Sequence, residues 1–182
     1  MENPNTGPGK ESRSPVSEHI QDLVQTNVAV NSGIAAIQLE DGTTYTFFYD
    51  QGTRPATLTY LESHHNKSSY SSSSITLENE RKAVTSDTVH VLAACLSDKD
   101  IYVFYADKNY NVHQVNFNLD ANTWKKGNYA NGVTNSIAKN TGISVMASPV
   151  LRVHFVDSED AMSISEAYFT SGTWSVRKIS NV

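Results

Sequence analysis

Residues 90–126 read HVLAACLSDKDIYVFYADKNYNVHQVNFNLDANTWKK. An apolar run from His90 to Ala94 gives way to an aromatic-rich stretch, Ile101 to Tyr105. A polar turn follows at Asp107-Lys108-Asn109, then a returning alternation from Val112 to Phe117 and a turn ending in Thr123-Trp124. Alternation of period two, bounded by turn residues, is the pattern of short, half-buried strands. The frame recurs on both sides. Downstream, Gly142 to Ala147, Leu151 to Phe155, Asp157-Ser158-Glu159-Asp160, Ile164 to Phe169 and Thr173-Trp174 repeat it in order. Upstream, Gly33 to Ile37, Thr44 to Tyr49, Asp50-Gln51-Gly52 and Ala56 to Leu61 repeat its first three strands. There a Ser-rich stretch from His64 to Ser74 replaces the last turn, and the fourth strand is expected at Ser74 to Leu77.

Four short strands recurring about every 50 residues is the period of a propeller blade. One such sheet cannot bury both of its faces alone and needs a neighbour on each side. The expected fold is therefore all-β, a β-propeller of three four-stranded blades. Rings close at about 4–8 blades. The outer faces of the first and third blades are expected to stay exposed and apolar, which favours self-association. Two chains would complete a six-bladed ring about a two-fold axis, making a homodimer the expected state. A β-sandwich with coincidental internal similarity is the competing architecture. The recurrence of strand order and of the Thr-Trp turn in register argues against it.

Residues 1–27 form a separate unit in this reading, and the blades run over 28–182. The opening MENPNTGPGKESRSP is rich in Pro, Gly and Ser and cannot bury enough surface to fold. Ser17 to Gln25 carries a helical pattern, with Ser17 as N-cap and Ile20, Leu23 and Val24 on one face. The apolar share is 38%, the charged share 18% and the formal net charge −5. No basic patch of the kind nucleic acid needs is present, so no such partner is expected. No apolar run is long enough to cross a membrane, so no membrane partner is expected either. The N-terminus lacks the apolar stretch of a signal peptide, which leads to an expectation of a cytoplasmic protein, or one exported without such a signal. Asn66-Lys67-Ser68 fits the glycosylation pattern, a chance match without secretion. The single cysteine, Cys95, sits in an apolar run and reads as a buried small hydrophobe. The six histidines lack metal-ligand spacing, and no nucleophile elbow, P-loop or dinucleotide fingerprint appears. Neither a metal nor a cofactor is expected.

The third repeat, LRVHFVDSEDAMSISEAYFTSGTWSV, resembles the blade of the fungal and bacterial fucose-binding lectins, the Aleuria-type six-bladed propellers. Both have an aliphatic-Arg-Val-aromatic strand, a polar turn, a Glu on the following strand, an aromatic residue and a Trp-bearing turn. The second repeat, IYVFYADKNYNVHQVNFNLDANTWKKG, keeps the same frame, and the resemblance covers Gly33 to the C-terminus. It implies a sugar held between adjacent blades, with Arg and Glu from one blade and aromatic groups mainly from its neighbour. Subunits with fewer blades than a full ring have precedent in that family. The chemistry suits a sugar. A guanidinium fork donates to ring and hydroxyl oxygens, a carboxylate accepts from hydroxyls, and an aromatic ring covers the C–H face.

Carried onto this chain, the resemblance implies Arg152 and Glu166 as the charged pair of the third blade, with Phe169 and Trp174 at the aromatic positions. The spacing between Arg152 and Glu166 is two residues longer than in the family, through the Asp157 to Met162 turn. In the second blade Tyr102 and Gln114 stand at the Arg and Glu positions, with Trp124 at the recurring turn. In the first, Tyr45 takes the Arg position and Thr57 or Thr59 the Glu position. Tyr cannot mimic the guanidinium fork, so two of the three sites depart from the family pattern.

Arg152 alternates with Leu151 and Val153 and reads either as a ligand anchor or as a salt-bridge partner of Glu159, Asp160 or Glu166. Trp124 and Trp174 read first as packing between blades. The leading functional expectation is a lectin-like protein that binds fucose or a related sugar without side-chain catalysis. One alternative is a propeller enzyme of small-molecule, secondary-metabolite biosynthesis, steering a cyclisation or isomerisation in an aromatic pocket near Tyr45, Tyr102, His154 and Arg152. A deep aromatic pocket, as opposed to shallow clefts between blades, would favour it. The other alternative is a propeller that only mediates protein association.

Overall fold

The computed structural model describes residues 32–65, 69–77, 82–129, 136–161 and 163–181. The expected tail and helix within 1–27, the Asn66-Lys67-Ser68 sequon and Met162 lie outside the described residues. The named elements are all strands, arranged as three antiparallel blades of four strands, the first with one further short strand paired to it, and a two-stranded ribbon. Blade 1 runs β1 (Ala35–Gln38), β2 (Thr44–Asp50), β3 (Ala56–Ser63) and β4 (Tyr70–Ser74). A two-stranded ribbon of β5 (Thr76–Leu77) and β6 (Lys82–Ala83) follows, and β7 (Thr85–Ser86) returns to pair with β3. Blade 2 runs β8 (Leu92–Ser97), β9 (Asp100–Ala106), β10 (Val112–Asn118) and β11 (Thr123–Lys126). Blade 3 runs β12 (Ile143–Met146), β13 (Arg152–Val156), β14 (Ser163–Thr170) and β15 (Thr173–Asn181). The first strands of neighbouring blades pack together, β1 on β8 and β8 on β12. That is the arrangement of inner strands around a propeller axis.

The chemistry of the turns repeats with the strands. After each second strand an Asp closes the turn on itself. The amides of Gly52, Asn109 and Glu159 donate to Oδ1 of Asp50, Asp107 and Asp157 at 2.8, 2.8 and 2.9 Å. A short side-chain acceptor two residues upstream mimics a backbone turn and fixes the reversal. The last hairpin of blade 3 turns through Ser171 and Gly172, at φ 50° and 83°. Two successive positive φ values match the twist of an antiparallel pair, and Gly172 meets this need without a Cβ.

The fourth strand of blade 1 departs from the expected Ser74 to Leu77. It starts at Tyr70, within the serine run, and the Thr76–Leu77 segment belongs to the separate ribbon. The strand is split. Ile75 donates to the Leu58 carbonyl at 2.9 Å and Leu58 donates to the Val84 carbonyl at 2.8 Å, so β7 continues the ladder that β4 began. Serine has weak strand preference, and pairing against the buried β3 overrides it.

Each interior blade face meets its neighbour in an aromatic and aliphatic seam. Between blades 1 and 2 lie Phe47, Leu58, Ile101, Val103, Phe117 and Trp124; between blades 2 and 3 lie Phe104, Val112, Val153, Phe155 and Trp174. Full burial of each such side chain is worth about 1.5–3 kcal/mol. Cys95 is buried in blade 2, and burial pushes its thiol up to about 12, consistent with a packing role.

The two outermost blade faces carry exposed apolar groups, as expected, but are mixed: Leu61 and Tyr70 lie on that of blade 1 and Met146 and Ile164 on that of blade 3, among polar side chains. Strand alternation puts Arg152, His154 and Glu166 on the outward face of blade 3 and Thr44, Ser63 and Tyr70 on that of blade 1.

Candidate functional site

The strand registers define equivalent positions in the three blades. His154 stands opposite Glu166, Phe104 opposite Gln114, and Phe47 opposite Tyr60. Two residues earlier on the second strand lie Arg152, Tyr102 and Tyr45. The face each blade presents to the next is thus Tyr45, Phe47 and Tyr60 in blade 1. It is Tyr102, Phe104 and Gln114 in blade 2, and Arg152, His154 and Glu166 in blade 3. The register corrects one assignment. The Glu-equivalent position of blade 1 is Tyr60; Thr57 and Thr59 point to the opposite face, because a one-residue offset inverts a strand's side chains.

In blade 3 the charged pair is assembled. Arg152 Nη1 donates to Glu166 Oε2 at 3.1 Å, and His154 Nε2 lies 3.0 Å from the same oxygen. Arg177 completes the cluster, its Nε and Nη2 reaching Oε1 at 2.8 and 2.6 Å. The Arg177 guanidinium also lies over the Tyr168 ring, 5.3 Å from its centroid. The Glu166 side chain is only 4% exposed, whereas Arg152 is 31% exposed. Burial pushes the Glu166 carboxyl upward. Hydrogen bonds from Arg152, Arg177 and His154 outweigh that and hold it below the ordinary glutamate range. A buried carboxylate thus fixes two guanidinium groups that both stay partly exposed. Of the three carboxylates foreseen as salt-bridge partners of Arg152, the one it contacts here is Glu166.

Arg177 was not foreseen. It stands opposite Glu166 across β14 and β15, a neighbour set by the tight Ser171-Gly172 turn. Counting outward from a two-residue hairpin is the signal that would have found it.

In blade 2 the equivalent groups are neutral. A cleft of about 270 Å³ lies between blades 2 and 3, and its lining includes Tyr102, Gln114 and Asn116 facing Leu151, Phe169 and Trp174. Gln114 is 3% exposed, with its amide committed. Its Nε2 donates to Asn116 Oδ1 at 2.8 Å and its Oε1 accepts from the Tyr129 amide at 3.2 Å. A Cβ at Gly127 would come within 2.4 Å of the Gln114 side chain, so only glycine lets the strand approach this closely. Trp174 Nε1 donates to Asn128 Oδ1 at 3.0 Å, tying blade 3 to blade 2.

The seam between blades 1 and 2 is closed by packing. Trp124 lies edge-on to Phe47 at 6.1 Å, and its ring is 4.9 Å from Phe117 and 5.7 Å from Tyr60. Tyr45 joins this cluster at 6.1 Å from Phe117 and donates to Glu62 at 3.0 Å. Of the residues singled out from sequence, Arg152 and Glu166 meet on one face. Tyr102, Gln114, Phe169 and Trp174 meet in the cleft, and Tyr45 and Trp124 are packed in the closed seam.

No protein-family model and no curated protein sequence matches the chain. Solved structures do. The Aleuria aurantia lectin, described as a six-bladed β-propeller with a novel fucose recognition mode, superposes with TM-score 0.66 at 17% identity, over 86% of this chain and 52% of its own. AofleA from Arthrobotrys oligospora superposes with TM-score 0.65 at 12% identity, over 86% of this chain and 43% of its own. A fucose lectin from Kordia zhangzhouensis, solved with methyl-fucoside, superposes with TM-score 0.50 at 13% identity, over 80% of this chain and 97% of its own. The chain spans about half the length of the first two. At such identities the likeness is one of fold: the chain has the architecture of three blades of an Aleuria-type propeller.

Proposed function

We propose that this protein is a carbohydrate-binding, lectin-like propeller that takes fucose or a related sugar at the outward face of blade 3. The ring is completed to six blades by self-association. The observation that carries the reading is the Arg152–Glu166 pair. The carboxylate is buried and saturated with donors, while the guanidinium stays partly open at a blade edge. Such an arrangement offers directed N–H donors to sugar hydroxyl and ring oxygens. His154, also held by Glu166, adds a further polar group beside them. The fold it shares with fucose lectins supports the choice of ligand class.

The neutral cleft between blades 2 and 3 is a weaker second site. Gln114 is consumed by internal hydrogen bonds, and Tyr102 supplies one hydroxyl where a guanidinium would supply a fork. Of the residues the metabolite-enzyme reading relied on, Tyr45 packs against Phe117 between blades 1 and 2, Tyr102 lines the cleft between blades 2 and 3, and Arg152 and His154 lie on the outward face of blade 3, so they form no common pocket. A glycan array followed by calorimetric titration with methyl α-L-fucoside tests the proposal. Wild-type protein is expected to bind, and Arg152→Ala to lose most of that affinity. No binding by the assembled wild-type protein overturns it.

A further inference from the structure

Glu166 needs a single positive charge to balance its own, and it has two. Arg152 meets Oε2 through Nη1, and Arg177 meets Oε1 through Nε and Nη2. Each guanidinium carries five N–H donors. Nη1 of Arg177, and Nε and Nη2 of Arg152, take no part in these bonds to Glu166. The second cation is peculiar to blade 3. In blade 1 the residue across from Tyr60 on the fourth strand is Ser73. In blade 2 Gln114 meets Gly127, whose amide donates to the Gln114 carbonyl at 2.8 Å. The corresponding residue in blade 3 is Arg177, so the surplus charge is an addition to the common blade plan.

The surplus is not cancelled by the described residues of this face. Strand register sets Ser144, Met146, Tyr168 and Ser175 there, none of them a carboxylate. The neighbouring Lys178 is paired with Asp160 and adds nothing net. In a completed ring the facing blade 1 would present Thr44, Leu61 and Ser63, again without charge. Two guanidinium groups against one carboxylate leave one positive charge, and His154 adds another when protonated. The chain as a whole is at −5, so the cluster is a positive island on an acidic protein. Arg177 is also held ready. Glu166 fixes it on one side and the Tyr168 ring lies 5.3 Å from its guanidinium, yet its side chain is 55% exposed. A guanidinium fixed in this way loses little freedom on meeting a ligand.

We infer that the ligand of blade 3 is an anionic sugar, one bearing a sulfate ester or a carboxylate, and that Arg177 contacts its charged substituent. The inference rests on the sugar-binding reading of this face and names the class of sugar. Arg152 serves hydroxyl and ring oxygens, and Arg177 serves the oxyanion. A guanidinium matches the oxygens of such a group in geometry, and bonds between ionised partners are about twice as strong as neutral ones. A neutral sugar leaves the surplus charge unanswered.

Calorimetric titration of the full chain with three probes tests this. They are methyl α-L-fucoside, its mono-O-sulfates, and the methyl glycoside of L-galacturonic acid, the same ring with a carboxylate at C6. At least one charged probe is expected to bind about tenfold tighter than the neutral one, a gain of about 1.4 kcal/mol. Which charged probe gains separates a sulfated from a uronic ligand. Raising sodium chloride from about 0.05 to 0.5 M should erode that preference and leave the neutral fucoside nearly unaffected. In Arg177→Gln the charged and neutral affinities are expected to approach parity, whatever their absolute values. Arg177→Lys, which restores the charge without the fork, should recover part of the preference. If wild type binds the neutral fucoside as tightly as the charged probes, the anionic inference is overturned while the sugar reading stands. A preference that survives Arg177→Gln overturns it too. So does inorganic sulfate binding as tightly as the sulfated sugar, which would make the face an anion site indifferent to sugar. If no probe binds, the sugar reading itself fails. Binding of the charged probes alone upholds the inference and narrows the sugar reading to charged sugars.

Discussion

Glu166 occupies a position that is Tyr60 in blade 1 and Gln114 in blade 2, and that one exchange changes what the blade face can do. A phenol and an amide there join a seam between blades, whereas a carboxylate gathers donors, and Arg152, His154 and Arg177 surround it. Its folded pKa lies below the ordinary 4.5 because these donors outweigh the burial that raises it. The unfolded chain therefore takes up the proton first as the solution is acidified. The stabilisation from Glu166 is complete above the ordinary glutamate range and is lost as pH falls through about 4.5 and below. Urea-unfolding midpoints of wild type are expected to drop over that window, and those of Glu166→Gln to drop less. At neutral pH the variant leaves Arg152 and Arg177 facing each other without a counter-ion. It should be less stable by about 1–3 kcal/mol, the range for losing hydrogen bonds to a charged group.

The fourth strands set how each seam behaves. Trp124 in β11, Trp174 in β15 and Tyr70 in β4 share a register, yet they have three environments. Trp124 is 6% exposed and ringed by Phe47, Tyr60 and Phe117. Trp174 is as well buried but borders the cleft and donates to Asn128. Tyr70 opens toward solvent. Truncating Trp124 to alanine would leave a cavity between blades 1 and 2 and should cost about 3–5 kcal/mol in urea unfolding. A loss below about 1 kcal/mol would mean that this seam does not hold the blades together.

A propeller assembled from open arcs depends on the seams between them. Each blade contacts only its neighbours, so an arc lacks the closure that a ring provides. If two chains complete the ring, the folded state includes the association and its apparent stability depends on protein concentration. The melting temperature is expected to rise on a tenfold increase in concentration and to rise further with saturating methyl α-L-fucoside. A melting temperature independent of concentration across the micromolar range would indicate an arc that is stable alone.

The sequence by itself determined the number of blades, the order of their strands, the polar turns that carry an Asp and the Thr-Trp positions. Each is written in local periodicity, in turn chemistry or in the in-register repetition of a short motif. Tertiary structure decided what depends on exact cross-strand register and on which face meets a neighbour. It put Tyr60 at the Glu position of blade 1, chose Glu166 among the carboxylates open to Arg152, brought Arg177 onto it, and split the fourth strand of blade 1 around a ribbon. A strand's two faces differ by a single residue of register, and which face is buried is settled only when the adjoining blade is in place.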